Sequence, residues 1–187
     1  MLADIRLINV HEYHKMVEAG ILDPEERVEL IDGHIINMAA KGTAHASATT
    51  RTSRRLRQLL GEQVLIRLQE PIRLNDYSEP EPDIAVVQPE PFDYADHHPT
   101  VSEVYFVIEV ADSTLKKDCG FKAKAYARSG ILDYWVLDVV QRELHLFREP
   151  DQKGYQYRLI LAETAMIAPL QFPTATTLVS DLLPKIK

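Results

Sequence analysis

Two acidic residues stand next to strand-like runs of apolar residues. Asp83 precedes the apolar run 84–87, and Glu109 lies near the end of the apolar run 104–110. A buried carboxylate is costly unless it is paired, hydrogen-bonded or bound to a cation, so each acid needs a partner. Hard oxygen ligands of this kind favour Mg²⁺ or Mn²⁺ over zinc. The pair therefore predicts a small acidic site that holds a divalent metal ion.

A lysine-rich helical segment follows Glu109 closely. An ammonium group beside a metal-bound water can orient that water and stabilise charge developing on a phosphate. Lys122 is our first choice for this role because it shares a helical face with Tyr126, whereas Lys124 points elsewhere and is the second choice. The segment contains four lysines, Lys116, Lys117, Lys122 and Lys124. Most of them are expected to be solvated.

Each of these residues also has a simpler interpretation. Asp83 follows a proline, and Pro-Asp is common in turns. Glu109 could form a buried salt bridge with a lysine or arginine. Glu29 alternates with apolar neighbours, which favours an exposed strand glutamate over a third site carboxylate. His45 begins a predicted helix, where a lone histidine is more often a cap or a surface residue than a metal ligand.

A polar stripe follows the predicted helix 44–60. Arg51, Arg54 and Arg55 occupy neighbouring positions on one helical face and could bind phosphates, although a solvated stripe is the default. The chain of 187 residues carries a formal net charge of −7. This acidity argues against a surface that binds nucleic acid everywhere, but it allows a local basic groove.

The pattern of elements predicts how these residues are positioned. Asn9 and Glu12 form a capping box that opens a helix ending at Gly20, and Asp32-Gly33 predicts a hairpin turn. The further expected elements are a helix over 44–60, strands near 64–69, 82–87 and 104–110, a helix to about 129, strands near 133–139, 143–148 and 155–162, and a short helix near 177–183. This order predicts one domain over residues 1–187 with a mixed sheet flanked by helices, of the α/β or α+β class.

The sequence predicts a cellular location because it lacks the features of secreted and membrane proteins. The single Cys119 cannot form an internal disulfide, and no apolar run approaches the length of a membrane span. The first ten residues lack the cationic start and apolar core of a secretory signal. We therefore expect a cytoplasmic protein.

The ordered set of motifs resembles the PD-(D/E)XK nuclease superfamily and, more closely, its Uma-type family of restriction-endonuclease-like proteins. The resemblance covers roughly residues 10–160 and includes the segment around His45. The matching stretches are Val28–Gly33, Pro80–Asp83, Ile108–Val110 and Asp118–Asp138. It implies a restriction-endonuclease-like core with an N-terminal helix and hairpin, in which Asp83 and Glu109 are the two motif acids.

One position departs from the superfamily pattern. A lysine is expected two residues after the second acid, yet the chain has Ala111 there. The family likeness implies that the lysine has moved to the following helix, where Lys122 matches. It also implies that Glu29 is an auxiliary acid of the site.

These observations predict a Mg²⁺- or Mn²⁺-dependent endonuclease that hydrolyses phosphodiester bonds, with DNA as the expected substrate. Asp83 and Glu109 hold the metal, and Lys122 and Glu29 complete the catalytic set. Nucleic-acid contacts are assigned to Arg51, Arg54, Arg55 and Lys124. Type II-like enzymes on this fold often dimerise, because two sites cut two strands, so the resemblance implies a homodimer. The alternative is a catalytically inactive nuclease-fold module that binds nucleic acid or protein.

Overall fold

The computed structural model describes residues 5–23 and 25–186. Its N-terminal part consists of helix α1 (Val10–Glu18), a hairpin of strands β1 (Val28–Ile31) and β2 (His34–Asn37), and the long helix α2 (Thr43–Leu60). Asn9 caps α1 through the predicted capping box with Glu12. The hairpin turns at Asp32 and Gly33, both of which have positive φ. The N-terminal helix and hairpin therefore form where the local sequence signals place them.

A six-stranded sheet follows. Its strands are β3 (Leu65–Arg67), β4 (Ile84–Val87), β5 (Val104–Ala111), β6 (Asp133–Asp138), β7 (Glu143–Asp151) and β8 (Gly154–Ala162), and they lie side by side in this order. Only the pair β5–β6 is parallel; the other neighbours are antiparallel. The parallel pair requires a crossover, which the helical segment between β5 and β6 provides. The sheet is mixed, as predicted.

That crossover is an interrupted helix. It begins as α3 (Leu115–Lys117), passes through a π-helical turn (Asp118–Lys122) and continues as α4 (Ala123–Ser129). Gly130 ends the helix in the left-handed conformation, with φ of 92°. The sequence predicts one continuous helix here, and the π-helical turn is a feature that apolar periodicity does not reveal. Such turns are frequent at functional sites because they change the direction of the side chains they contain.

Each face of the sheet buries its own apolar core. On one face, Leu56 and Leu60 of α2 pack with Phe106, Trp135 and neighbouring strand residues. On the other face, residues of α4 pack with Val107 and Tyr134. At roughly 25 cal/mol per Å² of buried apolar surface, these two layers supply the main driving force for folding. They also fix the strands whose ends carry the two motif acids.

The chain ends in a small second sheet and a short helix. Strands β9 (Met166–Ile167) and β10 (Thr177–Leu178) pair, and α5 (Val179–Leu182) packs against α2. The sequence predicts the terminal helix near 177–183 but not the two-residue strands. None of the described helices has both the length and the apolar character needed to cross a bilayer.

Candidate active site

Asp83 and Glu109 meet because their strands are antiparallel neighbours. Ile84, the first residue of β4, pairs with Ile108 of β5, which puts Asp83 beside the last third of β5. The backbone nitrogen of Asp83 donates to Glu109 Oε2 at 3.4 Å. Both side chains are buried, with the Asp83 residue 7% and the Glu109 residue 3% exposed. The structure therefore brings the two predicted motif acids together.

One oxygen of Asp83 is held firmly and the other is not. Oδ2 accepts hydrogen bonds from His45 Nε2 and from the backbone nitrogen of Val110, each at 2.9 Å. Oδ1 has only looser partners among the described residues, with Gln69 Nε2 at 3.4 Å and Lys41 Nζ at 4.0 Å. The carboxylate is thus fixed in orientation while Oδ1 keeps capacity for a further ligand.

Glu109 shows the same asymmetry. Oε1 accepts from Lys122 Nζ at 2.8 Å and from the Tyr126 hydroxyl at 2.9 Å. Oε2 has the long contact from the Asp83 backbone nitrogen at 3.4 Å. Lys122 and Tyr126 lie four residues apart across the end of the π-helical turn, so both reach the same carboxylate oxygen. The spacing that linked these two residues in the sequence corresponds to a shared contact.

Glu29 completes the cluster from the hairpin. Its carboxylate lies 2.9 Å from Lys122 Nζ through Oε2 and 3.3 Å from Lys117 Nζ through Oε1. Glu29 is only 1% exposed, so the exposed position favoured by strand alternation is wrong. All four residues of β1 are buried, because this strand contacts α1, Glu79 and the lysines of the crossover helix. The Lys122 ammonium therefore lies between two buried carboxylates.

The charges of this cluster follow from burial and pairing. Burial raises the pKa of Glu109 to about 8, although the neighbouring Lys122 ammonium opposes this shift. Burial alone would lower the pKa of Lys122, but the carboxylates of Glu109 and Glu29 outweigh it and the pKa is raised. Burial would also raise the pKa of Asp83, yet the hydrogen bond from His45 leads the effects that lower it. Asp83 is therefore ionised and Lys122 charged at neutral pH.

Sequence reasoning missed several residues of the cleft, and two of them are buried. His45 is 7% exposed and contacts Asp83, so its interpretation as a helix cap or surface residue is wrong. Asp118 is 3% exposed, accepts a hydrogen bond from Thr114 and has a pKa raised mainly by burial. Its spacing of four residues from Lys122 was a usable signal. No local pattern marks His45, because the helix start becomes buried only through tertiary packing.

Together these side chains line one small cleft with a volume of about 40 Å³. The lining is rich in acids and cations, and its charged or titratable members are Glu29, Lys41, His45, Glu81, Asp83, Glu109, Asp112, Lys117, Asp118 and Lys122. Lys124 is exposed and lies outside this cleft. Of the two lysines considered from the sequence, Lys122 is the one beside the acids.

The predicted arginine stripe lies elsewhere. Arg51 Nε donates to the Leu183 carbonyl, and Arg55 Nε donates to Thr177 Oγ1 at 2.8 Å. These contacts tie α2 to the C-terminal segment, while Arg54 lines a separate open surface. None of the three lines the acidic cleft. Their assignment as nucleic-acid contacts stays a prediction.

A second group of ligand-type side chains occurs at the β6–β7 turn. Asp138, Glu143 and His145 bring their ligand atoms within 4.8 Å of one another. Asp138 Oδ1 accepts from two backbone nitrogens of the turn at 2.8 and 2.9 Å, and His145 Nε2 lies 3.1 Å from Glu143. These contacts account for the group as a capped turn beside a hydrogen-bonded histidine and glutamate. The two motif acids remain the stronger candidates for a metal.

Comparisons with known proteins agree with this architecture. The model of the Uma2 family, described as "Putative restriction endonuclease", matches residues 10–180. A crystal structure of a putative nuclease belonging to DUF820 from Anabaena variabilis matches with a TM-score of 0.75. It is 16% identical, and the match covers 94% of this chain and 97% of that chain. Among curated proteins no match is found. The restriction-endonuclease-like fold predicted from the sequence is confirmed.

Proposed function

This chain belongs to the Uma2 family and has a restriction-endonuclease-like nuclease fold, and from that premise we propose that it is a Mg²⁺-dependent endonuclease that hydrolyses phosphodiester bonds of DNA. Asp83 and Glu109 hold the metal in this proposal. Lys122 assists the attacking water, and Glu29 supports Lys122. Mn²⁺ can replace Mg²⁺, since both prefer carboxylate and water oxygens.

One observation carries the proposal. Asp83 and Glu109 each have one oxygen fixed by short hydrogen bonds and one oxygen with contacts no shorter than 3.4 Å. A carboxylate that only served a structural salt bridge would gain most by satisfying both oxygens, because buried acceptors without good partners are costly. Two neighbouring acids that both keep an available oxygen fit a shared hard cation. Mg²⁺ bound there would neutralise the scissile phosphate and acidify a water molecule.

The residues around the acids have roles that their contacts define. Lys122 has three N–H donors, of which the carboxylates of Glu29 and Glu109 accept two. The remaining donor can bind the attacking water or a phosphate oxygen. Glu29 keeps the ammonium charged and fixes its position. Tyr126 donates to Glu109 and so restricts the rotation of that carboxylate.

DNA as substrate, a homodimer and a cytoplasmic location complete the proposal. The description of the family as a restriction endonuclease supports DNA. A dimer is consistent with cutting both strands, since each protomer then supplies one site. The location rests on the sequence alone.

One contact favours the rival function, an inactive nuclease-fold module. Lys122 already satisfies one oxygen of Glu109 at 2.8 Å, and the superfamily lysine at position 111 is replaced by Ala111. If this contact only stabilises the fold, the acids have no need of a metal. The two functions differ in whether the cleft binds Mg²⁺ at all.

Calorimetric titration of Mg²⁺ and Mn²⁺ into the wild type and the variants Asp83→Ala and Glu109→Gln tests the proposal. We expect millimolar or tighter binding by the wild type, loss of binding in both variants, and parallel loss of cleavage of plasmid and single-stranded DNA. Asp96→Ala removes an exposed carboxylate outside the cleft and serves as the control. A wild type that neither binds metal nor cleaves DNA would support the inactive module instead.

A further inference from the structure

A basic surface adjoins the acidic cleft. It lies on α3 and the π-helical turn and extends to the first turn of α4, and we call it the lysine face, defined by Lys116, Lys117, Phe121 and Lys124. The two surfaces are continuous, because Ser113, Thr114 and Lys117 line both. A ligand that lies in the cleft can therefore extend across these shared residues onto the lysine face.

Two of the three lysines of this face have no ion-pair partner in the described part of the protein. Lys117 contacts Glu29, but Lys116 and Lys124 form no ion pair with any residue of 5–23 or 25–186. The chain has 28 acidic against 21 basic residues, so carboxylate partners are plentiful. Lysines that remain unpaired in an acidic protein, grouped beside a candidate phosphodiester site, form a local positive surface. Such a surface attracts a polyanion although the whole protein is acidic.

Phe121 gives the face a second chemical property. Its side chain belongs to the large apolar groups that remain exposed, at 37% of its surface, and it stands among the lysines rather than in either core. Gly120 beside it adds no side chain, so the neighbouring surface stays open. An aromatic ring between cations is the combination that proteins use for nucleotides without sequence preference. The lysines contact phosphates and the ring stacks on a base.

We propose that the lysine face binds an unpaired nucleic-acid strand next to the bond that is cut, with phosphates on Lys116, Lys117 and Lys124 and one base stacked on Phe121. The proposal rests on the proposed endonuclease function and adds the form of the substrate. In an intact duplex the bases stack on one another and offer no free π-face except at the ends. The exposed ring therefore favours a single strand, a frayed end or a locally opened duplex.

A second copy of this chain is the competing occupant. Exposed Phe121 could lie in a protomer contact, and lysines could meet the acidic surface of a partner. A nucleic-acid strand and a second copy of the chain, as occupants of the lysine face, would give different experimental results. A nucleic-acid strand makes binding depend on salt and on the aromatic ring, whereas a protein partner makes the oligomeric state depend on the same residues.

Binding is measured by fluorescence anisotropy of a labelled 15-nucleotide thymidine strand and of a 15-base-pair duplex, in buffer with a chelator so that no cleavage occurs. We expect the strand to bind more tightly than the duplex. The double variant Lys116→Gln/Lys124→Gln should lower the slope of log K against log salt by about 0.7 for each phosphate that the variant no longer neutralises. Phe121→Ala should weaken strand binding by roughly 5- to 150-fold, since stacking contributes about 1–3 kcal/mol per base.

Matched variants separate stacking and local charge from general effects. Phe121→Tyr keeps the ring and should bind like the wild type, whereas Phe121→Leu keeps an apolar side chain without a π-face and should resemble Phe121→Ala. Lys15→Gln/Lys185→Gln makes the same change of net charge at exposed positions outside the face and should leave the slope unchanged. Equal affinity for strand and duplex, or Phe121→Leu binding like the wild type, would overturn the proposal.

The same design distinguishes failure of this proposal from failure of the proposed function. Strand binding without metal does not depend on Asp83 or Glu109. Loss of cleavage in variants of these two acids therefore does not contradict strand binding by the lysine face. If the enzyme cleaves DNA but none of the face variants changes its affinity for the strand, the proposed endonuclease function stands and strand binding by the lysine face is wrong. If sedimentation shows that Phe121→Ala or the lysine double variant changes the oligomeric state while strand binding stays constant, the face is a protomer contact.

Discussion

His45 holds one oxygen of Asp83 and thereby determines where the other oxygen points. Its Nε2 and the Val110 backbone nitrogen both donate to Oδ2 at 2.9 Å. A carboxylate held in this way presents its free oxygen in a fixed direction, and outer-shell partners of this kind contribute about 10- to 100-fold to metal affinity. His45 is therefore a positioning residue for the candidate metal site.

Substitution of His45 tests this role. His45→Ala should weaken Mg²⁺ binding by about 10- to 100-fold in calorimetry, because Asp83 can then rotate. His45→Gln should restore most of the affinity, since its side-chain amide can donate from a similar position. Thermal unfolding of both variants controls for damage to the fold. Equal Mg²⁺ affinity of the alanine variant and the wild type would show that His45 does not position Asp83 for metal binding.

The pKa of Glu109 predicts how metal binding depends on pH. Because burial raises this pKa from 4.5 to about 8, the metal-free folded protein holds a proton that the unfolded chain has already lost between those values. The stabilisation from this proton is complete below pH 4.5 and is lost as the pH rises through about 8. A metal needs the ionised carboxylate, so its binding must displace the proton below pH 8.

Mg²⁺ affinity should therefore rise with pH by about tenfold per unit below pH 8 and level off above it. The pKa of Asp83 is lowered, so this acid does not add to the change in that range. Calorimetry in buffers of different ionisation enthalpy measures both the affinity and the proton released. An affinity that stays constant between pH 6 and pH 8 would show that Glu109 is already ionised or is not a ligand.

At the scale of elements, local sequence patterns predict the strands and helix starts that depend on neighbouring residues alone. The apolar runs that end at Val87 and Val110 form strands, and the capping box at Asn9 starts α1 as expected. Tertiary packing decides the rest. Glu29 alternates like an exposed residue, yet contacts with the crossover helix and with the segment before β4 bury it. His45 becomes part of the cleft for the same reason, and neither position could be derived from spacing alone.

The crossover helix shows a further limit of sequence patterns. Lys122 and Tyr126 share a helical face by spacing, and both do contact Glu109. The π-helical turn of Asp118–Lys122, which contains Lys122 and ends just before α4, is not visible in this spacing. In the proposed site, Lys122 of this helix takes the place of the lysine that the superfamily has two residues after its second acid. The resemblance to a family, rather than periodicity, suggested that substitution.

Two glycines of the crossover segment should respond oppositely to alanine. A Cβ at Gly120 meets no atom within 4 Å, and its φ is not positive. Gly120→Ala should raise the free energy of unfolding by about 0.5–1 kcal/mol, since alanine loses less backbone entropy. Gly130 has a φ of +92°, so Gly130→Ala should lower that free energy by about 1–2 kcal/mol. Urea denaturation measures both, and destabilisation by Gly120→Ala would mean that the turn needs glycine.

At the scale of the whole molecule, the sheet has two unequal edges. Strand β3 has three residues, whereas β8 has nine and pairs only with β7 among the described strands. A long open edge carries unpaired backbone donors and acceptors, and natural proteins protect it with lysine, proline or a covering element. Strand β8 contains neither lysine nor proline, and Tyr157, Leu159 and Ile160 are exposed along it.

The β8 edge is therefore where we expect the proposed homodimer to form, by antiparallel pairing of two copies about a twofold axis. Such an interface is self-complementary, since each strand supplies the donors and acceptors that the other lacks. Ile160→Lys should convert the dimer to monomer in sedimentation velocity, because two like charges would then face each other near the axis. Phe92→Lys, at an exposed position in the loop before β5, should leave the dimer intact. A wild type that is monomeric at roughly 100 μM, where an interface of Kd near 1 μM would be saturated, would exclude the edge as a stable interface. It would also imply that any double-strand cut requires two separate encounters with DNA.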